Sequence, residues 1–197
     1  MERLVLATRN PHKLRELREA LPGIELEALP DEVELPPETG ATFAENALGK
    51  ARAAQQATGR TSVADDSGIE AHALGGRPGV RSARYAGEDA TDEENLAKLL
   101  EEVARQGDRD VAYVCVIALV SEEGDEALFE GRCEGTLTDR PRGSGGFGYD
   151  PAFVPDATGA GDRRTMAELA PEEKHAISHR GRAARKLAEH LAIEVQS

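Results

Sequence analysis

At 197 residues with 39% hydrophobic content, the chain has the length of one domain and enough apolar side chains for one sizeable core. A formal net charge of −13 repels polyanions and anionic bilayers, which disfavours a general nucleic-acid binder and a membrane-surface protein. No apolar run approaches spanning length, the N-terminal apolar stretch is too short for a signal peptide, and Cys115 and Cys133 stand far apart with no zinc spacing. The expectation is a cytoplasmic protein, one domain over residues 1–197, with both cysteines buried in strands.

Arg3 to Thr8 (RLVLAT) reads as a buried strand, followed by the turn Arg9-Asn10-Pro11-His12-Lys13 and a helix with Leu14, Leu17 and Leu21 on one face, closed by Pro22-Gly23. Free N–H groups at that helix start, with Thr8, Asn10 and the Lys13 ammonium, would cradle phosphate oxygens. An ordinary strand-to-helix turn capped by Asn10 explains the same residues, and the absence of G-x-x-x-x-G-K-[ST] disfavours a P-loop NTPase. Ile24 to Leu29 is a second strand candidate. The proline-rich acidic loop Pro30 to Gly40 carries Glu38 near its end. Thr42 and Glu45 then form a capping box opening a helix with Ala47, Ala51 and Ala54 on one stripe and Gly59 as its stop; Lys50 on this helix is either solvated or aimed at a phosphate.

The stretch from Ser62 to Gly87 concentrates acids and arginines. Thr61 to Ala64 reads as a short buried strand delivering Asp65, Asp66, Ser67 and Gly68 at its C-terminal end, where open α/β sheets bind ligands. Gly75, Gly76, Pro78 and Gly79 make a loop from which Arg77, Arg81 and Arg84 can bend back toward the acids. Such a set suits a magnesium-bound polyphosphate, because Asp takes hard cations and Arg forks onto phosphate oxygens. A capped turn with arginines on a solvated face is the alternative.

Thr91 and Glu94 repeat the capping box before a helix with Leu96, Leu99, Leu100 and Val103 in its stripe. Asp110 to Ser121 is the longest apolar run and reads as a central strand, turning through Glu122-Glu123-Gly124-Asp125 into a partner around Ala127 to Cys133, which makes the sheet mixed. Gly143 to Gly148 matches G-x-G-x-x-G, yet Pro141 before it and Pro151 and Pro155 after it do not suit a dinucleotide-binding helix. Phe147, Gly148, Tyr149 and Asp150 suit instead a loop where a planar base stacks on an aromatic ring and a carboxylate accepts a ring N–H; core aromatics beside a glycine turn would look alike. Thr165 and Glu168 form a third Thr-x-x-Glu, soon interrupted by Pro171. From Lys174 to Lys186 the chain carries five basic residues and no acid, a local spot for a compact anion or a solvated helix. Lys174, Ser178 and His179 share a face if this stretch is one helix; if Ser178 caps the last helix, His179 and Arg180 stand at its start.

Six segments in this order, A-T-R-N-P-H-K at 7–13, E-T-G-A-T-F-A-E-N at 38–46, A-D-D-S-G at 64–68, L-G-G-R-P-G-V-R-S-A-R-Y at 74–85, G-G-F-G-Y-D-P at 145–151 and K-H-A-I-S-H-R at 174–180, resemble the inosine triphosphate pyrophosphatase family. The resemblance implies an α/β fold with a mixed central sheet and flanking helices, two lobes around a deep substrate cleft, and a homodimer. It implies magnesium-dependent hydrolysis of purine nucleoside triphosphates with 6-oxo bases to monophosphate and pyrophosphate. By position, Asp66 matches the proton acceptor and a magnesium ligand, Glu38 a second metal carboxylate, and Ser67 a substrate contact. Thr8, Arg9, Asn10, Pro11, His12 and Lys13 match the phosphate-binding turn, Lys50 a second phosphate-neutralising lysine, and Arg84 a further cation. Phe147 to Asp150 match the base-binding loop, and Lys174, His179 and Arg180 the group reading base and sugar-phosphate. Position 9 is Arg where relatives often carry a small residue.

Overall fold

The computed structural model describes residues 3–194. Its strands form one six-stranded sheet in the order β2-β1-β3-β4-β5-β6, where β1 is Arg3–Leu6, β2 Glu25–Ala28, β3 Ser62–Ala71, β4 Asp110–Val120, β5 Glu126–Leu137 and β6 Phe153–Pro155. β1 runs parallel to β2 and β3, whereas β5 and β6 are antiparallel, so the sheet is mixed. Among the described residues five α-helices accompany it: α1 (Pro11–Ala20), α2 (Phe43–Thr58), α3 (Asp92–Gln106), α4 (Pro171–Ile177) and α5 (His179–Glu194). The chain divides into two compact units, one of residues up to Asp66, Cys115–Gly131 and Arg180 onward, the other of Ser67–Val114 and Arg132–His179.

In the first unit the strand period of two sorts each strand's residues between two cores. Leu4, Leu6, Val63, Cys115, Ile117 and Leu119 meet Leu17 and Leu21 at the α1 end and Ala183, Ala184, Leu187 and Leu191 of α5. Val5, Ala7, Ala64, Ala118 and Val120 meet Ala47, Ala51 and Ala54 of α2, whose small stripe lets the helix lie close to the strands. Sheet strands covered on both faces read as continuous apolar runs, which is why RLVL and VAYVCVIALV lack polar alternation. The second unit has its own core, with Leu96, Leu99 and Val103 of α3 packed among Ile69, Tyr113, Leu137, Phe153 and Met166.

The predicted caps form. Asn10 accepts the His12 and Lys13 N–H groups at the start of α1, Thr42 and Thr91 close capping boxes on α2 and α3, and Gly59 ends α2 in the left-handed region at φ 67°. Several elements differ from the sequence expectation. β3 runs on to Ala71, so Asp65 and Asp66 lie inside the strand and not at its C-terminal end; their charges are met by side chains from other elements and do not stop it. β5 continues past Cys133 to Leu137 with alternating burial, and β6 pairs with that extension. The Thr165–Glu168 motif caps only a 3-10 turn, Met166–Glu168. Of the two readings of the basic C-terminal stretch, the one with His179 and Arg180 at the start of the last helix holds: the stretch is two helices broken at Ser178, whose ψ of 151° is extended.

Candidate active site

The first unit gathers the acids and lysines around β3. Successive strand residues point to opposite faces, so adjacent Asp65 and Asp66 enter different surroundings. Asp65 follows Val63 toward α1 and α5. Its fully buried Oδ2 lies 3.2 Å from Lys13 Nζ and accepts from Arg180 Nε at 3.2 Å and Nη2 at 3.1 Å. Arg180, itself buried, also pairs with Glu16 of α1. Burial alone would raise the Asp65 pKa, but Lys13, Arg180 and Lys50 outweigh it and hold the carboxyl well below the usual carboxylate range.

Asp66 follows Ala64 toward α2, where Asn46 Nδ2 donates to its Oδ2 at 2.9 Å. Here burial prevails over Lys50, the Asn46 bond and Lys13, and the carboxyl is raised above its ordinary value. Lys50, one turn beyond Asn46, donates to Glu38 Oε1 at 2.5 Å and to the Asp65 carbonyl at 2.7 Å. Although burial opposes its charge, Asp65, Glu38 and Asp66 together raise its pKa, so it remains an ammonium. Two neighbouring carboxyls pushed in opposite directions mark one as a fixed anion and the other as a group able to take a proton. Asp66 and Glu38 present hard carboxylate oxygens. Among the described residues no group of three or more His, Cys, Asp or Glu gathers as a metal cage. That donor set fits magnesium, which takes one or two carboxylates and completes its shell with substrate phosphates and water.

Other expected members of the phosphate turn take different places. Arg9 turns away from it: its forked guanidinium donates to the carbonyls of Leu29 at 2.9 Å, Pro30 at 2.7 Å and Val33 at 2.8 Å, loop acceptors that converge on it. Thr8 Oγ1 accepts from the Asn10 N–H at 3.2 Å, Pro11 opens α1, and the exposed His12 ring lies 3.1 Å from Arg15. Lys13 is the member of the turn that reaches the acids. Ser67 belongs to β3 and Arg84 to the 3-10 turn Gly79–Arg84, where its Nε lies 3.8 Å from Glu88.

The second unit builds the aromatic loop. Asp150 is buried, and its oxygens accept from Tyr113 OH at 3.1 Å, the Phe147 N–H at 3.0 Å and Lys174 Nζ at 2.8 Å. Through these bonds Asp150 shapes the loop and anchors Lys174 within the segment expected to contact a base. Gly146, at φ +75°, sits where any Cβ would run into that carboxylate. Lys174 Nζ lies 5.5 Å from the half-buried Phe147 ring centroid. Tyr149 is a core residue, its hydroxyl donating to the Ser82 carbonyl at 2.7 Å, and the Gly148 N–H donates to Asp92 at 2.8 Å. His179 stacks on Tyr113 with centroids 4.7 Å apart, while Arg180 commits its guanidinium to Asp65 and Glu16.

Asn46, Glu16 and Tyr113 are absent from the sequence-derived set. Only Asn46 had a local signal: it stands one turn before Lys50 at the edge of the alanine stripe.

Fold and site define a mixed α/β protein whose central sheet carries paired carboxylates beside buried lysines. The chain belongs to the Ham1 family, whose sequence profile matches residues 4–190. It is 50% identical over 198 residues to a dITP/XTP pyrophosphatase of Geobacter sulfurreducens, with 97% of each chain covered. It is 52% identical over 190 residues to a dITP/XTP pyrophosphatase of Mycobacterium bovis, covering 92% of this chain and 91% of the other. A HAM1 protein structure from Coxiella burnetii superposes with a TM-score of 0.87 at 44% identity, covering 98% of this chain and 99% of that one. These agree with the resemblance read from the six sequence segments.

Proposed function

We propose that the chain hydrolyses non-standard purine nucleoside triphosphates, ITP, dITP and XTP, to the monophosphate and pyrophosphate, and so removes deaminated purines from the nucleotide pool. The placement of adjacent Asp65 and Asp66 in opposite surroundings, one held by Lys13 and Arg180 and the other by Asn46, carries this reading, supported by the activity for which the similar relatives are named. Magnesium would be held by Asp66 with Glu38, and when bound it would neutralise phosphate charge and polarise a phosphoryl oxygen. Asp66 accepts the proton of the attacking water; burial raises its pKa, which makes it a better base than an exposed carboxylate. Water oxygen bonds to phosphorus, the α–β anhydride bond breaks, and the electron pair leaves with pyrophosphate. Lys13 and Lys50 neutralise that developing charge, and Lys50 is kept protonated for the purpose by its acid neighbours. Asp65 keeps Lys13 in place.

Phe147 offers a stacking face, and Lys174, anchored by Asp150, offers N–H donors to a 6-oxo group. A 6-amino group would set donor against donor at that ammonium, a strong basis for rejecting adenine. The same reading makes residues 1–197 one catalytic domain in a cytoplasmic homodimer; among the described residues no helix is long and apolar enough to cross a membrane.

The test is product formation from ITP, XTP, dITP, GTP and ATP with magnesium, following pyrophosphate and orthophosphate separately. Pyrophosphate with monophosphate from the first three, and little from GTP or ATP, is expected. Orthophosphate release or equal use of ATP would overturn the assignment in favour of a general nucleotide phosphatase.

A further inference from the structure

α2 places two polar side chains on its buried face, Lys50 and, one turn earlier, Asn46. Asn46 is 5% exposed and uses both ends of its amide. Nδ2 donates to Asp66 Oδ2 at 2.9 Å, and Oδ1 accepts the backbone N–H of Gly40 at 2.8 Å. The orientation follows from chemistry: a backbone N–H can only donate, so the amide oxygen must face Gly40 and the NH2 must face the carboxylate. Gly40 lies two residues after Glu38, and the segment between them is drawn onto the first turn of α2. Glu45 Oε2 accepts the Ala41 N–H at 2.6 Å, and a Cβ on Gly40 would stand 2.7 Å from Asn46 Oδ1 and 2.8 Å from Glu45 Cβ. Only glycine allows that approach.

We propose that Asn46 is a positioning residue that sets Glu38 and Asp66 in register with each other, holding the strand carboxylate with its N–H and the Glu38–Gly40 segment with its carbonyl. The terminal torsion of an aspartate is broad, so without a fixed donor the Asp66 carboxylate plane would drift. Without a fixed acceptor the Glu38 segment would lose its one tie to the helix residue that also holds Asp66. Lys50 constrains Glu38 through a long, rotatable side chain; Asn46 acts through a short, buried one. This inference rests on Asp66 being the water-activating carboxylate.

The experiment compares Asn46→Ala, Gly40→Ala and Asp66→Asn in the full chain by kcat, KM for ITP, thermal unfolding and amide exchange at residue 40. Asn46→Ala should lower kcat about 10- to 100-fold, as loss of a group orienting a metal or catalytic ligand does, with KM within about threefold. Gly40 N–H exchange should accelerate in Asn46→Ala and stay protected in Asp66→Asn. Combined with Asp66→Asn, the Asn46 change should cost less than about twofold more, because its partner is already gone. Gly40→Ala should reproduce the kcat loss with Asn46 and Asp66 intact, and it carries the test if Asn46→Ala does not fold. Wild-type kcat in a folded Asn46→Ala or Gly40→Ala, beside an inactive Asp66→Asn, overturns the positioning role alone. An active Asp66→Asn overturns the assignment of Asp66, and the role of Asn46 with it.

Discussion

The two faces of β3 at residues 65 and 66 hold the same functional group one residue apart and treat it in opposite ways. On the Asp65 face, Lys13 and Arg180 surround a fully buried carboxylate and stabilise its charge beyond anything water offers. On the Asp66 face, burial outweighs Lys50, the Asn46 amide and Lys13, and the charged form is left less stable than in water. A strand with period two is a simple device for this, since it turns sequence neighbours into spatial strangers. One face holds a fixed anion, and the other is the face on which the proposed hydrolysis relies.

That comparison breaks most sharply at Asp66. Asp66→Asn should lower turnover on ITP about a thousandfold, within the range for losing a general base, with unfolding temperature unchanged or raised in the absence of metal. The sign follows from the raised pKa: ionised Asp66 costs the folded state stability, and an amide does not. A steady-state assay beside a thermal melt checks both halves. Asp65→Asn should act the other way, destabilising the fold by about 3 kcal/mol because Lys13 and Arg180 lose the buried counter-charge they share. Its folded pKa is depressed, so the stability Asp65 supplies is present above its unfolded value near ~3.9 and is lost as pH falls toward the folded one. Denaturant titrations from neutral to acid pH should show a steeper decline in the parent than in Asp65→Asn; parallel curves would remove Asp65 as a structural anion. The smallest effect is expected in the second unit. Asp150→Asn should raise KM for ITP about tenfold with a lesser change in kcat, because Lys174 loses its anchor while the reacting groups are untouched. A fall in kcat at constant KM would instead place Asp150 with the chemistry.

Local features were legible before any fold. Asn10, Thr42 and Thr91 cap their helices because a cap closes within three residues of itself, and the Ala47, Ala51, Ala54 stripe faces the sheet because helical spacing alone dictates it. Less legible were features that depend on a partner far along the chain. Arg9 looked like part of a phosphate turn, yet carbonyls more than twenty residues on took its guanidinium. Nothing local in the sequence showed that Tyr113 and Lys174 both donate to Asp150. β3 looked four residues long because paired aspartates resemble a strand end when their counter-charges are out of view.

By itself the sequence determined the helix caps, the two-sided burial of β1 and β4, the mixed sheet and the ordered segments that carry the family resemblance, all of which rest on short-range backbone chemistry or on residue identity. The resemblance pointed to Asp66 as the proton acceptor; tertiary structure alone showed what anchors Asp65 and why the two surroundings differ. The Arg180 guanidinium lies 115 residues from Asp65 along the chain and about 3 Å from it in space. A carboxyl's pKa answers to the charges and water around it, and those are set by folding.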